Sequence, residues 1–142
     1  MRVEPYLNFD GRCEEAIEFY KSAIGAEVTM LLRFSDSPEK PAVGMMPQGS
    51  EKKVMHASLR IGDSTVMASD CHCQGKANFE GVSLSITANN DAQAERAFAA
   101  LSGNGGKVCA PLTKTFFSSK FGVATDRFGV TWMIVVEPAQ PK

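Results

Sequence analysis

Apolar and polar positions alternate with a period of two along several short stretches. Residues 82–88 are the cleanest case, with Val82, Leu84 and Ile86 set against Ser83, Ser85 and Thr87. A period of two sends successive side chains to opposite faces and predicts half-buried strands. Residues 3–9 alternate likewise, Leu7 and Phe9 against Glu4, Tyr6 and Asn8, and Pro5 suits a strand start or an edge because it offers no ladder donor. In 54–61, Met55, Ala57, Leu59 and Ile61 oppose His56, Ser58 and Arg60. Further strands are predicted over 26–34, 64–69, 107–116 (broken by Pro111), 121–125 and 130–136, where β-branched and aromatic residues concentrate. Gly62-Asp63 joins one pair of strands, and Asp126-Arg-Phe-Gly129 joins the last pair with turn chemistry.

Two other stretches repeat at helical spacing. Cys13, Ala16, Ile17, Tyr20 and Ile24 form one stripe, opened by Asp10-Gly11 and closed by Gly25; Ala94, Ala97, Phe98 and Leu101 form a second, capped by Asn90 or Asp91 and closed by Gly103. Glu14 and Glu15 fall in the first turn of the earlier helix, where the helix dipole favours acid. The order is strand, helix, three strands, and then the same again. This is an α+β chain of two βαβββ modules, 1–75 and 78–142, expected to form a cupped mixed sheet with helices on its outer face and to act as one domain over 1–142.

Each helix covers the apolar face of its strands and leaves the polar face open. That open face carries Glu4, Tyr6 and Asn8, then His56, Ser58 and Arg60, then Ser83, Ser85 and Thr87. Met67 and Met133 point the same way, while Val66, Trp132 and Ile134 go under the helices. A curved sheet with such a face is suited to a small, partly apolar ligand.

Composition narrows the partners. The 142 residues carry a net charge of −1, and of fifteen Lys and Arg only Lys52-Lys53 are adjacent, which argues against nucleic acid and against an anionic membrane surface. No apolar run resembles a signal peptide or a membrane span. With four cysteines, this predicts a cytoplasmic protein with free thiols.

Four features bear on chemistry. His56 is one of two histidines; it either contacts ligand or acts as a general base, or is a hydrogen-bonded strand residue. Arg60 either binds an anion or sits in solvent at a strand end. Cys71-His72-Cys73 lacks the wider pair spacing of structural zinc sites and reads as an exposed thiol pair. The 35–53 stretch is long for a compact domain, either a functional lid or a mobile loop, and contains Met45-Met46. One of Phe116 and Phe117 is expected in the core, because adjacent strand residues face opposite ways.

Leu7-Asn-Phe-Asp-Gly-Arg-Cys-Glu-Glu-Ala-Ile-Glu-Phe-Tyr20, followed by Ile24-Gly-Ala, resembles the opening of the vicinal oxygen chelate superfamily of glyoxalase, bleomycin-resistance proteins and extradiol dioxygenases. Phe121-Gly-Val-Ala-Thr-Asp-Arg-Phe-Gly-Val-Thr-Trp132 resembles the PhnB-like branch in particular. The resemblance implies paired βαβββ modules around a cupped sheet, commonly in a homodimer. Metal-dependent members hold a divalent ion with His, Gln and Glu from the first and last strands of each module. The matching positions here are Glu4, Tyr6 or Asn8, Ser83 or Ser85, and, where the family has glutamate, Met67 and Met133. Thioethers are poor ligands for such ions. The branch often carries a demethylubiquinone methyltransferase label, but no glycine-rich loop here follows a strand and opens a helix.

The expected function is therefore small-molecule binding without metal or cofactor, lined by Tyr6, Asn8, His56, Ser58, Arg60, Met67, Ser83 and Met133. The alternative is a divalent-metal-dependent lyase, isomerase or dioxygenase-type enzyme using His56 and Glu4.

Overall fold

The computed structural model describes residues 1–37, 49–70 and 77–137. The chain divides into two units, Met1–Asn78 and Phe79–Lys142. Unit 1 runs β1 (Tyr6–Asn8), α1 (Cys13–Ile24), β2 (Glu27–Arg33), β3 (Val54–Ile61) and β4 (Ser64–Ser69); unit 2 runs β5 (Ser83–Ala88), α2 (Asp91–Ser102), β6 (Lys107–Thr113), β7 (Phe121–Thr125) and β8 (Thr131–Val136). Each unit has its own four-stranded mixed sheet, in the order β1-β4-β3-β2 and β5-β8-β7-β6. The outer first strand is parallel to its neighbour and the other pairs are antiparallel. This is the α+β arrangement of two βαβββ modules expected from the strand and helix order, and the glyoxalase-like fold that the resemblance implies.

The alternating pattern decides which side is buried. In unit 1, Leu7, Phe9, Ala57, Leu59, Val66 and Ala68 are buried, as are Cys13, Ala16, Ile17 and Tyr20 of α1. In unit 2, Ala124, Trp132, Ile134 and Val136 are buried with Ala94, Ala97 and Leu101 of α2. Gly25 ends α1 in the left-handed region at φ 69°, its N–H donating to the Tyr20 carbonyl; a side chain there would be strained.

Several expected boundaries move. The first strand is three residues, not seven, because only Tyr6, Leu7 and Asn8 have register partners, namely Met67, Ala68 and Ser69. Pro5 still contributes through its carbonyl, which accepts from the Met67 N–H. Pro111 lies inside β6 rather than ending it, on the sheet edge and where the register slips between Ala110 and Thr113. Phe116 and Phe117 are 101% and 42% exposed, so neither is core. Strand β6 stops at Thr113, and beyond it no pleat imposes an inward face on either ring.

Two buried aspartates, Asp70 and Asp126, fasten the units locally. Asp10-Gly11 opens α1 as expected, and the N-cap residue Arg12 makes no capping hydrogen bond with its own side chain. Asp70, 57 residues beyond Cys13, accepts from the Cys13 N–H at 2.7 Å and the Gly11 N–H at 2.8 Å through Oδ1, and from the Val54 N–H at 2.8 Å through Oδ2. Asp126 accepts from the Phe128 and Val130 N–H groups and from the Trp132 indole N–H, closing the β7–β8 turn. Asn90 caps α2 as expected, accepting from the Gln93 N–H at 2.8 Å.

Candidate functional site

On the open face of unit 1, register partners lie side by side across all four strands. Tyr6 pairs with Met67, Met67 with Ser58, and Ser58 with Met30. His56 pairs with Leu32, and Arg60 with both Thr65 and Glu27. Within this row the Tyr6 hydroxyl lies 3.2 Å from His56 Nδ1, and the Ser58 hydroxyl lies 3.3 Å from Nε2. The Tyr6 and His56 rings are 5.6 Å apart, tilted by 40°. Tyr6 is 44% exposed, and His56, Ser58 and Met67 are half-buried.

A hydroxyl both donates and accepts. Either neutral tautomer of His56, and the imidazolium, therefore finds a partner at each ring nitrogen without any side chain moving. The cluster can exchange a proton with a neighbouring group while keeping its geometry. Arg60 is not held for an anion: its guanidinium donates to Glu27 at 2.5 Å. Asn8 accepts from the buried Ser69 hydroxyl at 3.0 Å. Glu4 pairs with Arg2 at 3.0 Å.

The corresponding row of unit 2 is built differently. Ser85 pairs with Met133, Met133 with Val123, and Val123 with Ala110. Met133 thus occupies in its sheet the place of Met67, while Ser85, Val123 and Phe121 stand where unit 1 has Tyr6, Ser58 and His56. Ser83 pairs with Thr131, whose hydroxyl is 3.0 Å from that of Thr125, itself 3.2 Å from the Cys109 thiol. Phe121 contacts Phe117, and Phe117 contacts Phe116, edge to face with 5.2 Å between centroids in both pairs.

Sequence reasoning missed Met30, Leu32 and Ser69 on the open face. Strand β2 has a register shift between Val28 and Met30, so Thr29 is bulged and simple alternation misreads every residue on one side of it. Ser69 has the expected parity, but nothing in its neighbours marks it as the partner of Asn8. Cys71-His72-Cys73 and Met45-Met46 lie outside the described residues.

A hollow of about 260 Å³ sits at the start of α1 and is lined by Gly11, Arg12, Glu14, Glu15, Lys52, Lys53 and Asp70. Apart from Lys52, its charged side chains are engaged. Arg12 pairs with Glu15 at 2.7 Å, Glu14 with Arg33, and Lys53 donates to the Gly11 carbonyl at 2.8 Å. The hydrogen bond from Arg33 holds the Glu14 carboxyl below the usual carboxylate range. Asp70 fills the helix end that would otherwise attract an anion. We therefore place the candidate site on the sheet face.

The profile of a family described as 3-demethylubiquinone-9 3-methyltransferase matches residues 1–135. A solved structure described as a putative 3-demethylubiquinone-9 3-methyltransferase, PhnB protein, from Bacillus cereus is 25% identical, covering 96% of this chain and 99% of that one, with a TM-score of 0.75. The chain belongs to this PhnB-like family. Protein YjdN of Escherichia coli (strain K12) is 35% identical over 146 residues, covering 99% of each chain. Protein PA1353 of Pseudomonas aeruginosa is 40% identical with a TM-score of 0.81, covering 96% of this chain and 98% of that one. A glyoxalase-related enzyme from Fulvimarina pelagi shares the fold at 16% identity and a TM-score of 0.59, covering 99% of this chain and 91% of that one. In this PhnB-like chain no helix among the described residues is long and apolar enough to cross a membrane.

Proposed function

We propose that this PhnB-like chain binds a small, partly apolar organic molecule over the Tyr6–His56–Ser58 cluster of unit 1, without the divalent-metal set of its superfamily. The observation that carries the reading is the cluster itself. An accessible imidazole has both nitrogens held by hydroxyls, beside the thioether of Met67 and the exposed Met30. Polar groups set among methionines suit a ligand with one hydrogen-bonding end and an apolar body. Ser83 and Met133 line the matching face of unit 2, and Asn8 and Arg60 flank the cluster.

The metal-free part rests on donor chemistry. The last-strand positions, where metal-dependent relatives place glutamate, carry Met67 and Met133. Among the described residues no three His, Cys, Asp or Glu side chains converge as an ion would require. The methyltransferase description of the family is not carried into this reading. The described junctions that open α1 and α2 are already capped, by Asp70 and Asn90.

The test is a thermal-shift screen of the full chain against metabolites and antibiotics, with and without EDTA. A compound that raises the melting temperature equally in both conditions, and not in His56→Ala, supports the reading. Stabilisation strictly dependent on added divalent ion would favour an enzyme with His56 and Glu4 as ligands.

A further inference from the structure

Asn8 and Ser69 are register partners on β1 and β4. The Ser69 hydroxyl, itself buried, donates to Asn8 Oδ1 at 3.0 Å. With Oδ1 committed to Ser69, the exposed Asn8 amide has its two N–H donors left to offer a ligand. The duplicated unit supplies an internal comparison: the equivalent partners on β5 and β8 are Thr87 and Val135, and valine has no hydroxyl to hold a partner. The oriented amide therefore occurs in the same unit as the Tyr6–His56–Ser58 cluster, two residues along β1 from Tyr6. Arg60 on this face is already paired with Glu27, and Arg2, ahead of β1, with Glu4. The donors directed at a ligand are thus the Asn8 amide and the switchable hydroxyl–imidazole row.

We propose that Ser69, acting through Asn8, makes the unit 1 face select ligands that present an oxygen acceptor, a carboxylate or carbonyl, over ligands that present only N–H donors. This rests on the binding reading above and names its ligand class. Asn8 touches the ligand; Ser69 is a positioning residue.

The experiment is ¹⁵N and side-chain NMR of the full chain titrated with sodium acetate or ethylammonium chloride. Acetate shifts the Asn8 side-chain amide and the His56 ring signals, and ethylammonium shifts neither. Asn8→Asp, which replaces the donors with acceptors at an exposed position, weakens the acetate response by roughly tenfold or more, the size expected for a lost hydrogen bond to a charged group. It also creates a response to ethylammonium, which a merely structural residue would not do. In Ser69→Ala the His56 response to acetate remains and the Asn8 amide response is lost; if that variant does not fold, Asn8→Asp carries the test alone. An acetate response at His56 with a silent Asn8 amide, a Ser69→Ala amide response equal to wild type, or an unchanged preference in Asn8→Asp overturns this inference and leaves the binding reading standing. No response of Asn8, Tyr6 or His56 to either probe overturns both.

Discussion

Asp70 joins the start of α1 to the start of β3, and replacing it separates two effects by size. The carboxylate is 1% exposed, and its oxygens accept from three backbone N–H groups: Gly11, Cys13 and Val54. Asp70→Ala leaves all three without their acceptor. At about 1–3 kcal/mol for each buried group left unsatisfied, and allowing for water entering the vacated space, the expected loss is about 4 kcal/mol. Asp70→Asn keeps Oδ1 for Gly11 and Cys13 but sets an NH₂ against the Val54 N–H. One bond is lost and two donors meet, which costs about 2 kcal/mol. Urea unfolding followed by far-ultraviolet circular dichroism gives the two losses. Hydrogen exchange gives their location: in Asp70→Asn the Val54 amide loses protection while the Cys13 amide keeps it. Equal losses in the two variants, or losses within about 0.5 kcal/mol of wild type as at an ordinary surface site, would refute the reasoning.

Burial first, then the charges of Asp70 and Glu14, push the Cys13 thiol well above the ordinary thiol range. The folded chain keeps this thiol neutral where the unfolded chain ionises it. The associated stability is whole below the unfolded value of about 8.5 and falls by about 1.4 kcal/mol per pH unit above it, until the folded value is reached. Wild type should therefore lose about 2 kcal/mol relative to Cys13→Ala between pH 8 and pH 10 in urea midpoints, and a constant difference contradicts this. Alkylation of the native chain should reach the exposed Cys109 and spare Cys13 until unfolding, as read by peptide mass spectrometry. Gly122 lies in the middle of β7, where an added Cβ would come 2.8 Å from the Phe98 ring and 3.1 Å from the Leu112 Cα. Gly122→Ala should cost about 1–3 kcal/mol by overpacking, measured by the same unfolding curves; a neutral or stabilised variant is the contrary result.

The face assignments on β1, β3, β5 and β8 were legible in the sequence because side-chain parity in a regular strand follows from backbone geometry alone. His56 and Ser58 could be placed opposite Ala57 and Leu59 without coordinates. That Tyr6 and Ser58 would occupy the two sides of one imidazole was not legible, because it depends on the parallel register of β1 on β4. Strand β2 resisted for a different reason, the extra residue at Thr29, which shifts Met30 and Leu32 onto the open face. Asp70 directly follows β4, where the alternating pattern has ended. A side chain that caps a helix 57 residues earlier leaves no trace in local pattern, and its burial follows from three donors that converge only in the folded unit. Phe116 and Phe117 misled because parity was applied beyond the end of β6.

The most direct test of the unit 1 site uses ¹³C-methyl-methionine NMR, with the seven methionines of the chain as reporters and a compound taken from the EDTA-insensitive thermal-shift screen. The account predicts that the Met67 methyl, between Tyr6 and Ser58 in the sheet, shifts on titration together with the His56 ring signals, and that His56→Ala abolishes the Met67 shift. A stabilising compound that leaves Met67 and His56 unmoved would contradict it.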